Sequence, residues 1–223
     1  MPVALIPFML VSCGGSDGSP STTTAPPLDT LVSWGSDFEN LVTDTPTGSD
    51  ITQVSGGNGY SVALRADGSL VSWGDNNSWD VVSDTPAGND FTQVSAGFQN
   101  SVALRADGSL VSWGWNFQNM VTDTPVEFDF TQVSVGYHHS VALRTDGSLV
   151  SWGSDFENLV TDTPAGFDFT QVASGLYHSI ALKSDGSLVS WGSDSHGEVS
   201  NTPTTNDFIQ VSGGWGHSVA IKQ

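Results

Sequence analysis

Short apolar segments alternate with turn formers along most of the chain. Four kinds recur, QVSxG, SVALR, SLVSWG and LVTDTP, each bounded by Gly, Asp-Gly or Pro. Short runs rich in β-branched residues between such breakers predict strands. No apolar 3.6-residue period persists for ten residues, which excludes a helical solenoid. Asp67-Gly68, Asp107-Gly108, Asp146-Gly147 and Asp185-Gly186 read as tight hairpin turns, where Gly accepts a positive φ. The segments also repeat in a fixed order. Val-Ser-Trp-Gly places its indole at Trp34, Trp73, Trp113, Trp152 and Trp191, 39 or 40 residues apart. Ser-Val/Ile-Ala-Leu/Ile-Arg/Lys begins at Ser61, Ser101, Ser140, Ser179 and Ser218, and the QVS block begins at Ile51, Phe91, Phe130, Phe169 and Phe208. Residues 31–46 and 149–164 are identical, the mark of duplication. Four short strands in roughly 40 residues make one propeller blade. The pattern therefore predicts an all-β chain, a β-propeller of five four-stranded blades over residues 28–223.

The two ends of this array complement each other. The first unit starts near Leu28, past the position of the Asp-Gly turn, and the last stops at Gln223, just before it. Leu31–Trp34 are expected to pair beside Ser218–Lys222, closing a five-bladed ring and removing two sheet edges that would otherwise invite association. The alternative is an arc of a longer ring.

The repeat resembles that of the regulator of chromosome condensation family, which runs Gly-Gly-x-x-His-Ser-x-Ala-Leu, Asp-Gly, then Val-x-x-Trp-Gly. The match is carried by GYHHSVALRTDGSLVSWG (136–153) and GLYHSIALKSDGSLVSWG (175–192), and it extends over residues 28–223. The resemblance implies a propeller, seven-bladed in that family. Compact bacterial versions, the propeller-type β-lactamase inhibitors among them, are similar in repeat design and likewise begin on a Trp-Gly strand. This chain departs in having five units, in the varied residues after Trp-Gly, and in lacking a wedge-like insertion. Guanine-nucleotide exchange does not carry over, and fold alone does not fix function.

Charge narrows the partners. Against 24 Asp+Glu stand 5 Lys+Arg, a net charge of −19, which argues against nucleic acid, whose phosphates demand cations, and against docking on anionic membranes. A membrane contact is expected only through the N-terminus. There the apolar residues 2–11 lead into Leu10-Val11-Ser12-Cys13, similar to a bacterial lipoprotein cleavage site with Cys13 as the lipidated residue, although no Lys or Arg precedes them. Residues 1–13 thus read as a signal segment and 14–27, GGSDGSPSTTTAPP, as a flexible linker. The expected location is secreted or lipid-anchored in a bacterial envelope. One cysteine excludes a disulfide framework or Cys-based zinc cluster.

Alternating strands sort the loops onto two rims. The rim carrying the Asp-Gly hairpins and TPxGxD loops is nearly constant and reads as structural, with Arg65, Arg105, Arg144, Lys183 and Lys222 expected to sit by the hairpin aspartates. Its Asp spacing matches no calcium loop. The other rim varies and carries the aromatics Phe38, Tyr60, Trp79, Phe98, Trp115, Phe117, Tyr137, Phe156, Tyr177 and Trp215, with His138 and several carboxylates and no Lys or Arg. Large rings give contact area at low entropy cost, so this rim is the candidate face for a protein or a glycan; the alternative is that the rings merely cap the ring of blades.

Three other readings are weaker. His139, His178 and His217 hold equivalent places in successive units and are weak candidates for a zinc site, while Tyr60 and Asn100 break the symmetry; no cofactor is expected. Asp37/Glu39 and Asp155/Glu157 could be paired carboxylates for glycoside hydrolysis, but they lie in duplicated segments and no nucleophile, phosphate loop or cofactor motif accompanies them. The sequence therefore reads as a non-catalytic binding module. A surface or adhesion spacer explains the acidic composition but leaves the aromatic asymmetry without a cause.

Overall fold

The computed structural model describes residues 31–48, 50–76 and 79–223; the signal-like segment, Cys13 and the linker lie outside the described residues. Four units each form a three-stranded antiparallel sheet. They are β1 (Ile51–Gly56), β2 (Tyr60–Arg65) and β3 (Leu70–Gly74); β4 (Phe91–Ala96), β5 (Asn100–Arg105) and β6 (Leu110–Gly114); β7 (Phe130–Val135), β8 (His139–Arg144) and β9 (Leu149–Gly153); β10 (Phe169–Ser174), β11 (His178–Lys183) and β12 (Leu188–Gly192). The fifth sheet has two strands, β13 (Phe208–Gly213) and β14 (Ser218–Lys222). The all-β propeller architecture is as the repeat predicts.

The expected fourth strand per sheet is not formed. LVTDTP has strand-like composition, but an upstream Asx side chain folds it into a turn. Asp37 Oδ1 accepts from the backbone N–H of Val42 and Thr43 at 2.8 and 2.9 Å, and Asp155 holds Val160 and Thr161 in the same way. Asn76, Asn116 and Asp194 repeat the device. A side chain that captures two N–H groups offers the backbone an alternative to a sheet ladder.

The core lies between consecutive sheets. Val94, Val133, Val172 and Val211 are 1–2% exposed because each packs against the sheet before it. The tryptophans of the third strands, Trp73, Trp113, Trp152 and Trp191, are 3–6% exposed. Each indole Nε1–H donates to a carbonyl in the preceding loop, from Leu41, Val81, Met120 and Leu159, at 2.9–3.0 Å. Polar links cross every junction in register. Gln53 Oε1 accepts from the Val94 N–H at 3.0 Å, and Gln93, Gln132 and Gln171 do the same for Val133, Val172 and Val211.

The first residue of each GxxxS turn must let the next sheet approach. A Cβ on Gly97 would lie 2.5 Å from the Gly136 carbonyl oxygen and 2.5 Å from Val135 Cγ1. Gly97→Ala is expected to lower stability by about 1–3 kcal/mol through overpacking, measured by urea unfolding; an unchanged midpoint would show that the junction can open without cost.

Among the described residues the array does not close on itself. Residues 31–34 carry no strand, and Trp34 is 73% exposed, so the pairing expected between Leu31–Trp34 and Ser218–Lys222 is not formed. The packing that joins each consecutive pair of sheets is not repeated between the first and the last. Val54, the β1 equivalent of the buried valines, is 44% exposed, with no sheet packed before it among the described residues, and Val219 and Ile221 on β14 are 58% and 52% exposed.

Candidate binding face

The two rims are held by different bonds. On the constant rim the cations pair with the aspartate before each QVS block, not with the hairpin aspartate as expected. Arg65 Nη1 reaches Asp50 at 2.8 Å, Arg105 reaches Asp90 at 2.7 Å, Arg144 reaches Asp129 at 3.1 Å, Lys183 reaches Asp168 at 3.3 Å and Lys222 reaches Asp207 at 3.1 Å. The hairpin residues Asp67, Asp107, Asp146 and Asp185 instead accept from the hydroxyl and N–H of the serine two residues on, which holds their carboxyls below the usual range. Four cations also lie over a ring of the same unit, Arg105 at 4.5 Å from the Phe91 centroid and Lys222 at 4.8 Å from Phe208. Every Lys and Arg is thus spent on this rim, which leaves the opposite one without a cation.

On the variable rim the GxxxS turns and the loops after Trp-Gly are tied together. Trp115 N–H donates to Gln99 O, Ser154 N–H to His138 O and Ser193 N–H to Tyr177 O, at 2.7–2.8 Å. Turns of neighbouring units are linked as well, Asn58 N–H to Phe98 O at 3.1 Å and Tyr137 N–H to Leu176 O at 3.2 Å. The loops after Trp-Gly turn back through residues with positive φ, Glu39, Asn40, Asp80, Gln118, Asn119, Glu157 and Asn158, conformations that Asn and Asp tolerate best. Phe38, Phe117 and Phe156 each open such a turn.

These supports bring eight of the candidate rings into one band. Trp79 meets Trp115 at 4.8 Å between centroids, Trp115 stacks on Phe117 at 4.7 Å, and Phe117 meets His138 at 4.4 Å. His138 lies edge-on to Tyr137 at 4.0 Å; Tyr137 meets Phe98 at 4.2 Å and Tyr177 at 5.3 Å; Phe156 meets Tyr177 at 5.3 Å. Offset and edge-to-face pairs of this kind add about 0.5–1.5 kcal/mol each beyond area burial. Burial holds the His138 pKa below its ordinary value, so the ring is neutral at physiological pH. Exposed carboxylates flank the band: Asp155 and Glu157 border Phe156, and Asp80 follows Trp79.

Three candidates fall outside it. Tyr60 is 1% exposed and faces the next sheet, its hydroxyl 2.6 Å from the Asn100 carbonyl and 2.8 Å from Ser101 Oγ; it is a junction residue and not part of the face. Trp215, 67% exposed, pairs with His196 at 5.5 Å. Phe38 is 59% exposed, and no ring packs on it among the described residues.

The histidines proposed as metal ligands are also junction residues. His139 and His178 are buried, and their Nε2 atoms meet Ser179 Oγ at 2.7 Å and Ser218 Oγ at 2.8 Å, each in the next sheet. His217 is exposed at the end of the array. Equal spacing in the sequence sets these rings one junction apart, so they do not converge. Asp37 and Asp155, offered as halves of carboxylate pairs, are used by their own loops, and those hydrogen bonds lower their pKa values. The residue that sequence reasoning passed over is His196, whose Nδ1 is 3.3 Å from the buried Glu198 carboxylate; its signal was the SHGE that replaces FENL in the last unit.

The family model described as Regulator of chromosome condensation (RCC1) repeat matches residues 51–78, 91–119, 130–158 and 169–198. Among solved structures, the ectodomain of the Physcomitrella patens receptor kinase CR4 is similar at 22% identity and a TM-score of 0.67, over 78% of this chain and 51% of its own. The CRINKLY WD40 ectodomain of the Arabidopsis thaliana receptor kinase ACR4 is similar at 21% identity and a TM-score of 0.64, over 78% and 68%. Prp20p of Saccharomyces cerevisiae, studied for its binding to Gsp1p and histones, is similar at 22% identity and a TM-score of 0.63, over 81% and 58%. The chain thus spans about half the length of the first of these. No curated protein sequence matches it.

Proposed function

Because the chain belongs to the regulator of chromosome condensation (RCC1) repeat family, we propose that it is a non-catalytic binding module whose aromatic loop rim takes a protein or glycan ligand. The observation that carries this reading is the band from Trp79 to Phe156, eight rings joined across loops of successive units. A cap needs rings packed beneath the surface, whereas Trp79 and Phe156 are 39% and 53% exposed. The rim has carboxylates and no cation, so it suits a partner that presents basic groups or hydroxyls. Among the similar structures is one of Kap60 bound to yeast RCC1 (Prp20), a relative with a protein partner, which favours the protein reading. We further propose that Cys13 is lipidated and that residues 14–27 hold the propeller away from a bacterial membrane, on the resemblance of residues 10–13 to a lipoprotein site.

The test is a screen of the chain on glycan arrays and bacterial surface-protein extracts, run beside the Trp79→Ala/Trp115→Ala/Phe117→Ala variant. A ligand of the parent should be bound at least about 30-fold more weakly by the variant, the loss of one or more hot-spot residues worth about 2 kcal/mol. Trp215→Ala, which lies apart from the band, should bind as the parent does. Undiminished binding by a folded triple variant would move the site to another surface, and a parent that binds nothing would favour the structural spacer.

A further inference from the structure

Two phenylalanines stand out of the constant rim with no part in its construction. The residue before the aspartate that leads into each QVS block is polar in three units, Ser49, Asn89 and Asn206, and aromatic in two neighbouring ones, Phe128 and Phe167. The backbone there is the same whichever side chain it carries. A Cβ on Gly68, Gly108, Gly147 or Gly186 would strike the carbonyl oxygen of Asn89, Phe128, Phe167 or Asn206 respectively, so asparagine fills the place as well as phenylalanine does. Phe128 is 68% exposed and Phe167 75%, with Val126 beside Phe128 at 83%. Both rings sit in the middle of the array, where β7–β9 and β10–β12 have a packed sheet on either side. A side chain that the fold does not require and that stays in water on a rigid support marks a contact surface.

Carboxylates separate these rings. Thr145 N–H donates to Asp129 O at 2.7 Å and Phe169 N–H to Gly147 O at 3.1 Å, which fixes the hairpin of Asp146 between the two loops. Phe130 N–H to Gly108 O at 3.1 Å and Ser184 N–H to Asp168 O at 2.8 Å set Asp107 and Asp185 on the outer flanks. The rim thus runs Asp107, Phe128, Asp146, Phe167, Asp185, carboxylate and ring in turn, all exposed. The three aspartates accept from Ser109, Ser148 and Ser187 and join no ion pair among the described residues. The cations beside them are already held, Arg144 by Asp129 at 3.1 Å and Glu127 at 3.4 Å, Lys183 by Asp168 at 3.3 Å. We propose that this row docks a basic amphipathic segment of another protein, its apolar side chains on Phe128 and Phe167 and a Lys or Arg on Asp146 between them. Charge complementarity selects that partner. A second copy carries net −19 with its Lys and Arg already paired, so it has no cation to offer. Nucleic acid and an anionic bilayer are repelled by the same row. This face lies on the rim opposite the aromatic band and is independent of what the band binds.

The test titrates the full chain with a synthetic amphipathic peptide of leucine and lysine, beside one with glutamate for lysine and one with serine for leucine. The leucine–lysine peptide should bind, and the other two should bind at least about tenfold more weakly. Phe128→Asn/Phe167→Asn copies Asn89 and Asn206, so it should unfold at the parent's urea midpoint while binding the peptide at least about 30-fold more weakly. Asp146→Asn keeps an acceptor for Ser148 and should weaken binding about 5-fold, with a shallower dependence on salt. Trp79→Ala/Trp115→Ala/Phe117→Ala, on the opposite rim, should bind the peptide as the parent does. The proposal is overturned if the double phenylalanine variant binds as tightly as the parent, if the glutamate peptide binds as well as the lysine one, or if the triple variant loses the peptide. Self-association of the parent that the double variant lacks would make a second copy the occupant. Capture of phosphatidylcholine vesicles lost in the same variant would make it a membrane, and either result also overturns the proposal.

Discussion

Trp113→Ala is expected to lower stability by about 3–5 kcal/mol, the range for cutting a buried indole to a methyl group. Trp113 is 4% exposed and packs in one cluster with Val81, Phe91, Val94 and Tyr60. Removal leaves a cavity at the junction of the first two sheets, and it also takes the donor from the Val81 carbonyl, 2.9 Å from Nε1 in the wild type. That bond ties down the loop bearing Trp79, so the variant should loosen one end of the aromatic band as well as the core. Urea unfolding followed by far-UV circular dichroism measures the first effect. Repeat arrays can open one junction at a time, so a second transition at low urea in the variant is an expected sign of local opening. Trp34→Ala is the matched control. The same residue in the same sequence context, 73% exposed, should leave the midpoint of a dilute chain within about 0.5 kcal/mol of wild type. If both variants cost the same, burial at the junctions is not what the repeated indole supplies.

The contrast between those two tryptophans also shows what could be read before folding. Repetition exposed the blades, because every junction uses the same valine, glutamine and indole and a pattern repeated at fixed pitch states its own period. Local composition misjudged LVTDTP, since the Asx side chain that turns it away from a sheet acts from five residues upstream. Tyr60, His139 and His178 close turns and so look like rim residues, yet at that register the side chain swings into the junction. The aromatic band was legible as a set of residues and illegible as a surface. Residues 31–46 and 149–164 make this plain. Both fold locally alike around Phe38 and Phe156, but Phe156 meets Tyr177 of the following unit, where the residue in the place of Tyr177 beside Phe38 is Gly59. Contacts of this kind depend on which loops become neighbours, and no single repeat contains that information.

Acid should destabilise the fold well above the range in which its carboxylates titrate, and His139 should carry most of that loss. The ring is fully buried, its Nε2 faces Ser179 Oγ, and its Nδ1 has no hydrogen-bond partner among the described residues. Gly136 exists to make room for it, since a Cβ there would lie 2.4 Å from Cε1. Burial first, then the neighbouring His178 and His138, push its pKa from 6.5 down to about 3. The folded state therefore holds this imidazole neutral while the unfolded chain protonates it below about pH 6.5. Stability from this group is fully present above that pH and is lost progressively as pH falls toward the folded pKa. Each unit of that interval costs 1.36 kcal/mol, so roughly 2–3 kcal/mol should be gone between pH 6.5 and 4.5. Burial also lowers the pKa of His178, which adds to the slope with the same sign, although Glu198 opposes it. The hairpin aspartates have lowered pKa values and act only below their ordinary value of 3.8, so the two windows separate. His139→Asn copies the residue that stands at this position in the second sheet, Asn100, itself 1% exposed. It should start about 1 kcal/mol less stable for the lost link to Ser179, and its urea midpoint should stay much flatter between pH 6.5 and 4.5. A variant whose midpoint falls as steeply as that of the wild type would place the acid-sensitive group elsewhere.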